Sequence, residues 1–478
     1  MKEDLKIHSF AVILRNIIDL GKLQVNDFLE QEEAESLFKD ITEKETEWFE
    51  ITKYVFGQVC TLAKKDIVHL EFPSIQILDI PKVFYLEDSK ILESVEKHPL
   101  HDAQIYLSLH RSGVLQVNIH IRFEKEAGYS VQEAIDLTRM NLRTLAIRIP
   151  DRVCSHIEMA KTQERIRWIK SEKGTWLIGS LKDLTTELIR PLMGKILEKK
   201  ATLSPIRDQR CISSTLVQVY KTSPRCESIE KFIEVENYGK EIRGLGSLDR
   251  SYAARSEAVV EQSFSNLSVD EEVGVFTFGL SDLMIFDSNF EKLVEDTYKE
   301  KSFKDRYAVV LYNSSHYGCL LEWVYLEKYL IDLYSRLLSQ SIAKQNTTPE
   351  QMLVIQKQSM HDLIAYQSGI TPYPSRDEFL QKARTAHRIP EMQEKLEKKR
   401  DLATDYVIQE YTLRTNKSIH LVNIFVAASA AFALMQVILT IEQLGSNKGI
   451  WSITTSILFL ITLVIVWGID KVYTRKKS

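Results

Sequence analysis

The residues best suited to chemistry in this 478-residue chain lie near its C-terminal end. Gly445, Ser446 and Asn447 fall in a short loop, 442–449, between two apolar runs. Backbone carbonyls and an amide side chain there would offer neutral oxygens to a hydrated cation. On a helical wheel at about 100° per residue, Asn416, Asn423, Ala427, Ala430, Leu434, Val437 and Ile441 share one face. That face carries no Asp, Glu, Lys or Arg. It is small or amide-bearing at one end and aliphatic at the other. Helix–helix contact through small residues would use it well. A pore would use it too, with Asn carbonyl oxygens facing the ion and aliphatic rings forming a constriction that dewets. From the wheel alone, packing outweighs the pore.

Elsewhere the chemistry is thin. His98, His101 and Asp102 have metal-ligand types, but Pro99 makes a turn of them and the histidines read as solvated. Ser314, Ser315, His316 and Cys319 put nucleophile types beside a histidine, yet sequence neighbours seldom form one catalytic site. The stretch 238–247, Tyr-Gly-Lys-Glu-Ile-Arg-Gly-Leu-Gly-Ser, is a glycine-and-basic loop of the kind whose N–H groups cradle phosphates. It is neither a Walker A nor a dinucleotide fingerprint, and a plain flexible loop weighs more. Acidic clusters at 30–35 and 270–272 could sense divalent cations, though such clusters are more often solvated. No catalytic set emerges, so the reading is not an enzyme.

The elements that position the C-terminal residues are two spans and a rod. Helical text runs over 390–441 with no glycine or proline after Pro390, which suits a first helical turn. At 1.5 Å per residue such a rod is on the order of 80 Å long, more than twice the hydrocarbon thickness of a bilayer. Its first part, 390–418, is a charged stalk. Met392, Leu396, Ala403, Tyr406 and Leu413 mark a stripe that Lys399 and Glu410 interrupt, which disfavours a dry coiled coil. A loose bundle, or cover from its own large domain, fits better. Its second part, 419–441, has no charge and is the predicted first transmembrane helix. A second span is predicted at 450–469. Lys471, Arg475, Lys476 and Lys477 form a basic ring in the tail, 470–478, and Arg414 and Lys417 precede the first span. The positive-inside rule then puts both termini in the cytoplasm of a multi-pass plasma (inner) membrane protein.

The order of long stalk, continuous first span, Gly-x-Asn loop, short second span and basic tail resembles the CorA divalent-cation transporter superfamily. The loop reads Gly445-Ser446-Asn447 where the family has Gly-Met-Asn, and Asn416 or Asn423 matches the family's asparagine at the mouth of the first span. Leu444 and Lys448 stand where the family carries aromatics, and a lysine there repels cations. The resemblance covers about 390–478. It implies a homopentamer whose first span lines the pore, a cytosolic α/β domain, and no required cofactor beyond a regulatory Mg²⁺ or nucleotide.

Residues 1–319 read as that α/β (or α+β) domain, and 320–389 as a helical connector. Strands are predicted at 8–14, 103–109, 114–123 and 211–220, with further short strands at 273–286 and 307–312. Arg111-Ser112-Gly113 turns a hairpin, and Ser130-x-x-Glu133 reads as a capping box opening a helix to about 145. Helices are expected over 30–53, 157–170, 176–197 (broken near Pro191), 320–344, 349–367 and from Ser375 to Pro390. The net charge of −4 argues against coating nucleic acid. Five scattered cysteines without a CxxC pair read as reduced thiols. No signal run opens the chain, so insertion is expected through the C-terminal spans.

Three functions follow. The first is a CorA-like oligomeric channel for divalent cations of the Mg, Co, Ni class, gated through its cytosolic domain. The second keeps that architecture as a CorA-like antiviral effector, associated with type III CRISPR systems and opened by a nucleotide second messenger. The third is a membrane-anchored cytosolic scaffold or enzyme. The expected partners are further copies of the chain, the bilayer, divalent cations and a nucleotide messenger, with no direct nucleic-acid contact.

Overall fold

A computed structural model describes residues 3–20, 36–40, 67–80, 82–110, 112–156, 166–172, 174–197, 211–235, 238–254, 265–279, 281–297, 303–343, 348–364, 366 and 374–444. Two compact units make up the chain. The first is 1–337 with 357–397, and the second is 338–356 with 398–478.

The first unit is built on a ten-stranded sheet: β1 (Lys6–Asp19), β2 (Ile67–Leu78), β3 (His101–His110), β4 (Val114–Ser130), β5 (Leu145–Ile149), β6 (Arg167–Ser171), β7 (Gly174–Gly179), β8 (Cys211–Ser223), β9 (Val273–Thr277) and β10 (Ser281–Phe286). Their spatial order is β6-β7-β5-β2-β3-β4-β1-β8-β10-β9. Every adjacent pair is antiparallel except β8 and β10. The large domain is therefore a mixed, mainly antiparallel sheet with helices, nearer α+β than α/β. β1 is an interior strand, with Val12 opposite Ile121 of β4 and Val217 of β8. Gly113, at φ 84, turns the β3–β4 hairpin as expected, because the left-handed region suits a residue without Cβ.

Alternation along the strands sorts side chains onto two faces. Phe10, Val12, Leu14 and Ile18 of β1 join Ile105, Leu107, Val117, Ile119, Val217 and Leu283 in one aliphatic core. The helix Val131–Thr138 contributes Val131, Ala134 and Ile135 to it. The predicted capping box is present there: Glu133 N–H donates to Ser130 Oγ, and Ser130 N–H to the Glu133 carboxylate.

The helices used below are α1 (Val131–Thr138), α2 (Gly239–Ser247), α3 (Phe303–Ala343), α4 (Pro349–Ile364), α5 (Pro374–Ala386) and α6 (Ile389–Leu444). Several expectations change. Residues 167–171 and 174–179 are strands β6 and β7, which pair with each other and, through β7, with β5. Pro191 does not end the helix: helical backbone runs from Leu181 to Leu197, and a π-helical stretch, Leu184–Ile189, lies just before the proline, where the regular ladder of hydrogen bonds is already interrupted. Residues 307–312 belong to α3 instead of a strand. Pro374 takes the first position of α5, so Ser375 is inside the helix and does not cap it. The stretch 238–247 is no loop: α2 runs through it, ending at Leu248 in the left-handed region. The helix predicted over 30–53 lies mostly outside the described residues.

Among the described residues one helix, α6, is long and apolar enough to cross a membrane, with mean hydropathy 1.8 in its best window and none of that window buried. The second predicted span, 450–469, lies outside the described residues.

Candidate functional site

The other face of the sheet is mixed, with a row of polar residues among the apolar Ala11, Ile13, Leu216 and Met284, and it is covered. β1 contributes Arg15, β3 contributes Ser108 and His110, β4 contributes Gln116, Asn118 and His120, and β10 contributes Asp282. All are buried. In each strand they take the positions between the aliphatic core residues, where an antiparallel sheet ordinarily meets water.

α3 supplies the partners. Arg15 Nη1 donates to Asp282 Oδ2 at 3.2 Å, and Arg15 Nη2 donates to the Gly318 carbonyl of α3 at 3.4 Å. The Arg15 guanidinium also lies 5.3 Å from the centre of the Tyr325 ring. Ser108 Oγ donates to the Glu322 carboxylate and lies 3.2 Å from His69 Nδ1. Two turns of α3 thus read the sheet through Gly318, Glu322 and Tyr325. Burial raises the Glu322 carboxyl and pushes the Tyr325 phenol well above its ordinary value. Burial alone also lowers the His69 imidazole to about 3. For Asp282 burial would raise the carboxyl, but His387, Arg15 and Thr277 together outweigh it and leave it lowered. It is therefore a held carboxylate inside the protein, which persists only because its charge is paired.

His387 connects this network to α6. Its Nε2 lies 3.4 Å from Asp282 Oδ1 and 3.2 Å from Thr277 Oγ1, and its ring stacks edgewise on Tyr325 at 4.8 Å. His387 and Arg388 are the two residues between α5 and α6. A second clamp lies on α3 itself. The Glu327 carboxylate accepts from Arg384 of α5 and from Gln393 of α6, both at 2.8 Å. Burial lifts this carboxyl to about 7 against the pull of Arg384.

Beside His387 a cavity of about 590 Å³ opens among α2, the β9–β10 turn, α3 and the α5–α6 joint. Arg243, Ser247, Thr277, Phe278, Lys328 and Arg388 are among its walls. Sequence reasoning singled out the α2 stretch for its glycines and base. The glycines prove to serve packing: a Cβ on Gly246 would lie 2.2 Å from the Phe278 ring, and one on Gly244 2.4 Å from Tyr252. Arg243 and Ser247 do reach a cavity, by helix geometry instead of a loop. Lys328, Arg388 and His387 carried no motif, and only the fold brings them there.

The predicted pore face lies on α6. Asn416, Asn423, Ala430, Leu434 and Val437 are exposed, and Ala427 is half-exposed. Ile441 is within the helix. Gly445, Ser446, Asn447 and the basic ring Lys471, Arg475, Lys476 and Lys477 lie outside the described residues, as does the acidic stretch 30–35. In the second unit, Gln356 of α4 donates to the Arg400 carbonyl at 2.8 Å and to Thr404 Oγ1 at 3.0 Å, and Arg414 of α6 pairs with Glu350 at 3.3 Å. Ala403 and Val407 are buried there, while Leu413 is not. Of the weak metal and nucleophile candidates, Ser314, Ser315, His316 and Cys319 all lie within α3. His101 opens β3 half-buried, so it is not a solvated turn residue as expected, and burial lowers its imidazole. Asp102 accepts from Gln76 at 3.1 Å. Cys319 is buried, and burial pushes its thiol well up. Asp270 accepts a hydrogen bond from Tyr317 at 2.6 Å.

No family model, curated protein or solved structure matches this chain.

Proposed function

We propose that the chain is a subunit of an oligomeric membrane channel for divalent cations of the Mg, Co, Ni class, gated through its sheet domain. The observation that carries this reading is α6. One unbroken helix begins in charged text and continues into an apolar segment, 419–437, whose best window is not buried by any of the described residues. An uncovered apolar helix of that length has a bilayer as its natural solvent. Its small and amide-bearing face suits a pore built from several copies. Exposed Leu402, Ile408 and Leu413 on the charged half give further copies an apolar surface to meet. Both termini would lie in the cytoplasm.

Liposome flux of purified protein tests the reading, with Mg²⁺, Ni²⁺, Co²⁺ and K⁺ compared. Divalent flux that Asn447→Ala alters without unfolding the protein supports it. No flux of any ion would return α6 to the role of an anchor. A nucleotide-opened version of the same channel, as in CorA-like antiviral effectors, is the second reading. The cavity at the root of α6 favours it over a cation-sensing trigger, since Arg243, Lys328 and Arg388 line it and no carboxylate does.

A further inference from the structure

The joint that starts α6 is an unusual piece of backbone. Arg388 has φ 58, in the left-handed region that side chains with a Cβ seldom adopt. Its N–H donates to the Thr385 carbonyl, and its own carbonyl accepts from Met392, in the first turn of α6. The bend is therefore held by the end of one helix and the start of the next. Strained backbone of this kind concentrates where a ligand or a switch acts.

The cavity beside this joint is cationic. Neither Lys328 nor Arg388 forms an ion pair among the described residues. The Lys328 ammonium is half-buried. Burial lowers it first, the Asp282 carboxylate partly offsets that, and the like charge of Arg388 lowers it further. Two cations thus disfavour each other across a cavity that an anion would satisfy. Ser247 and Thr277 add hydroxyls, and the Phe278 ring, seated on Gly246, adds an apolar wall. The volume, about 590 Å³, lies within the range of small-molecule pockets. His387, also in the wall, is buried, with Nδ1 lacking a hydrogen-bond partner among the described residues and Nε2 tied to Asp282 and Thr277.

We infer that this cavity binds a phosphate-bearing ligand of nucleotide size, with Arg243, Lys328 and Arg388 on its phosphates and Phe278 beside its organic part, and that occupancy sets the backbone of the Arg388 joint from which α6 starts. Guanidinium and ammonium groups are the usual donors to phosphate. Arg388 is both a ligand group and the residue bent to start α6, so an anion that draws it toward Lys328 acts on the helix directly. The regulatory half of this inference rests on the channel reading; the binding half does not.

Calorimetry on the detergent-solubilised full chain tests the binding half, with ATP, tripolyphosphate and adenosine as probes. ATP is expected to bind and adenosine to fail. Arg388→Ala and Lys328→Ala should each weaken ATP about tenfold or more, and Arg388→Lys should recover part of the loss. Arg388→Ala removes an exposed side chain, so its fold can be verified by circular dichroism. Tripolyphosphate binding as tightly as ATP would support the site and identify phosphate as the whole of what is recognised. Binding of ATP unchanged in both variants, or no binding of either anion at millimolar concentration, would overturn the inference. Liposome flux with and without ATP then separates the two ideas. Flux in a protein that binds no anion sinks the cavity and leaves the channel. ATP binding in a protein that conducts nothing sinks the channel and leaves the cavity.

Discussion

At the scale of single residues the polar row on the covered face of the sheet stands out. Arg15, Asp282, Ser108 and Glu322 would each be costly to bury alone; together they satisfy one another. Glu327 is the member whose titration reaches the neutral range. Its carboxyl moves from 4.5 to about 7 in the folded chain. Below the lower value the group is protonated in folded and unfolded chains alike. Between the two, the unfolded chain gives up its proton while the folded chain keeps it. Stability from this group therefore falls as pH rises through that window. Relative to Glu327→Gln, the natural protein should lose on the order of 3 kcal/mol between about pH 5 and pH 8. Urea midpoints of the two proteins at both pH values check this. Curves that stay parallel would mean that Arg384 holds the carboxylate ionised throughout.

At the scale of elements the stalk half of α6 shows which parts of a stripe matter. Leu396 and Ala403 of the predicted stripe are buried, as is Val407, which the stripe omitted. Leu413 is exposed, and the interruption at Glu410 falls before it. Near Ala403, the Gln356 amide holds α4 to the backbone of α6 at Arg400. Ala403→Glu would place an unpaired carboxylate where no surface is exposed, at a cost of about 3 kcal/mol or more. Leu402→Glu, one residue away at 60% exposure, should stay within about 0.5 kcal/mol. Thermal unfolding of both variants in detergent decides it, and equal losses would mean that α6 is covered on both sides.

For the whole molecule the question is what surrounds α6. Phe425 and Phe432 fall on the face opposite Asn423, Ala430 and Leu434, and both are exposed. If the first face meets lipid and the second lines a pore, a lysine has opposite consequences on the two. Phe432→Lys should cost insertion about 2.5–3.5 kcal/mol and shift protein out of the membrane fraction. Ala430→Lys should insert and instead reduce divalent flux, because its charge stands in water. Membrane flotation read beside liposome flux separates these outcomes. Equal loss of insertion from both variants would leave packing, not a pore, as the use of the small-residue face.

Much of this was legible in the sequence for local reasons. The capping box at Ser130 and Glu133, the Gly113 hairpin, and the charged-then-apolar helix are each encoded within a few residues, where propensity, capping and hydropathy act directly. The strands β6 and β7 were missed because short runs around Trp168 and Trp176 satisfy helical and extended patterns equally until neighbours pair with them. The polar row of the sheet was beyond local reading. Alternation at Gln116, Asn118 and His120 is the pattern of a sheet facing water, and only the arrival of α3 makes it a buried network. The cavity is the same kind of fact. Arg243, Lys328 and Arg388 are far apart in the chain, and no spacing rule joins them. Two helices, α2 and α3, and the bent joint before α6 bring them to one place, because each obeys its own packing demand.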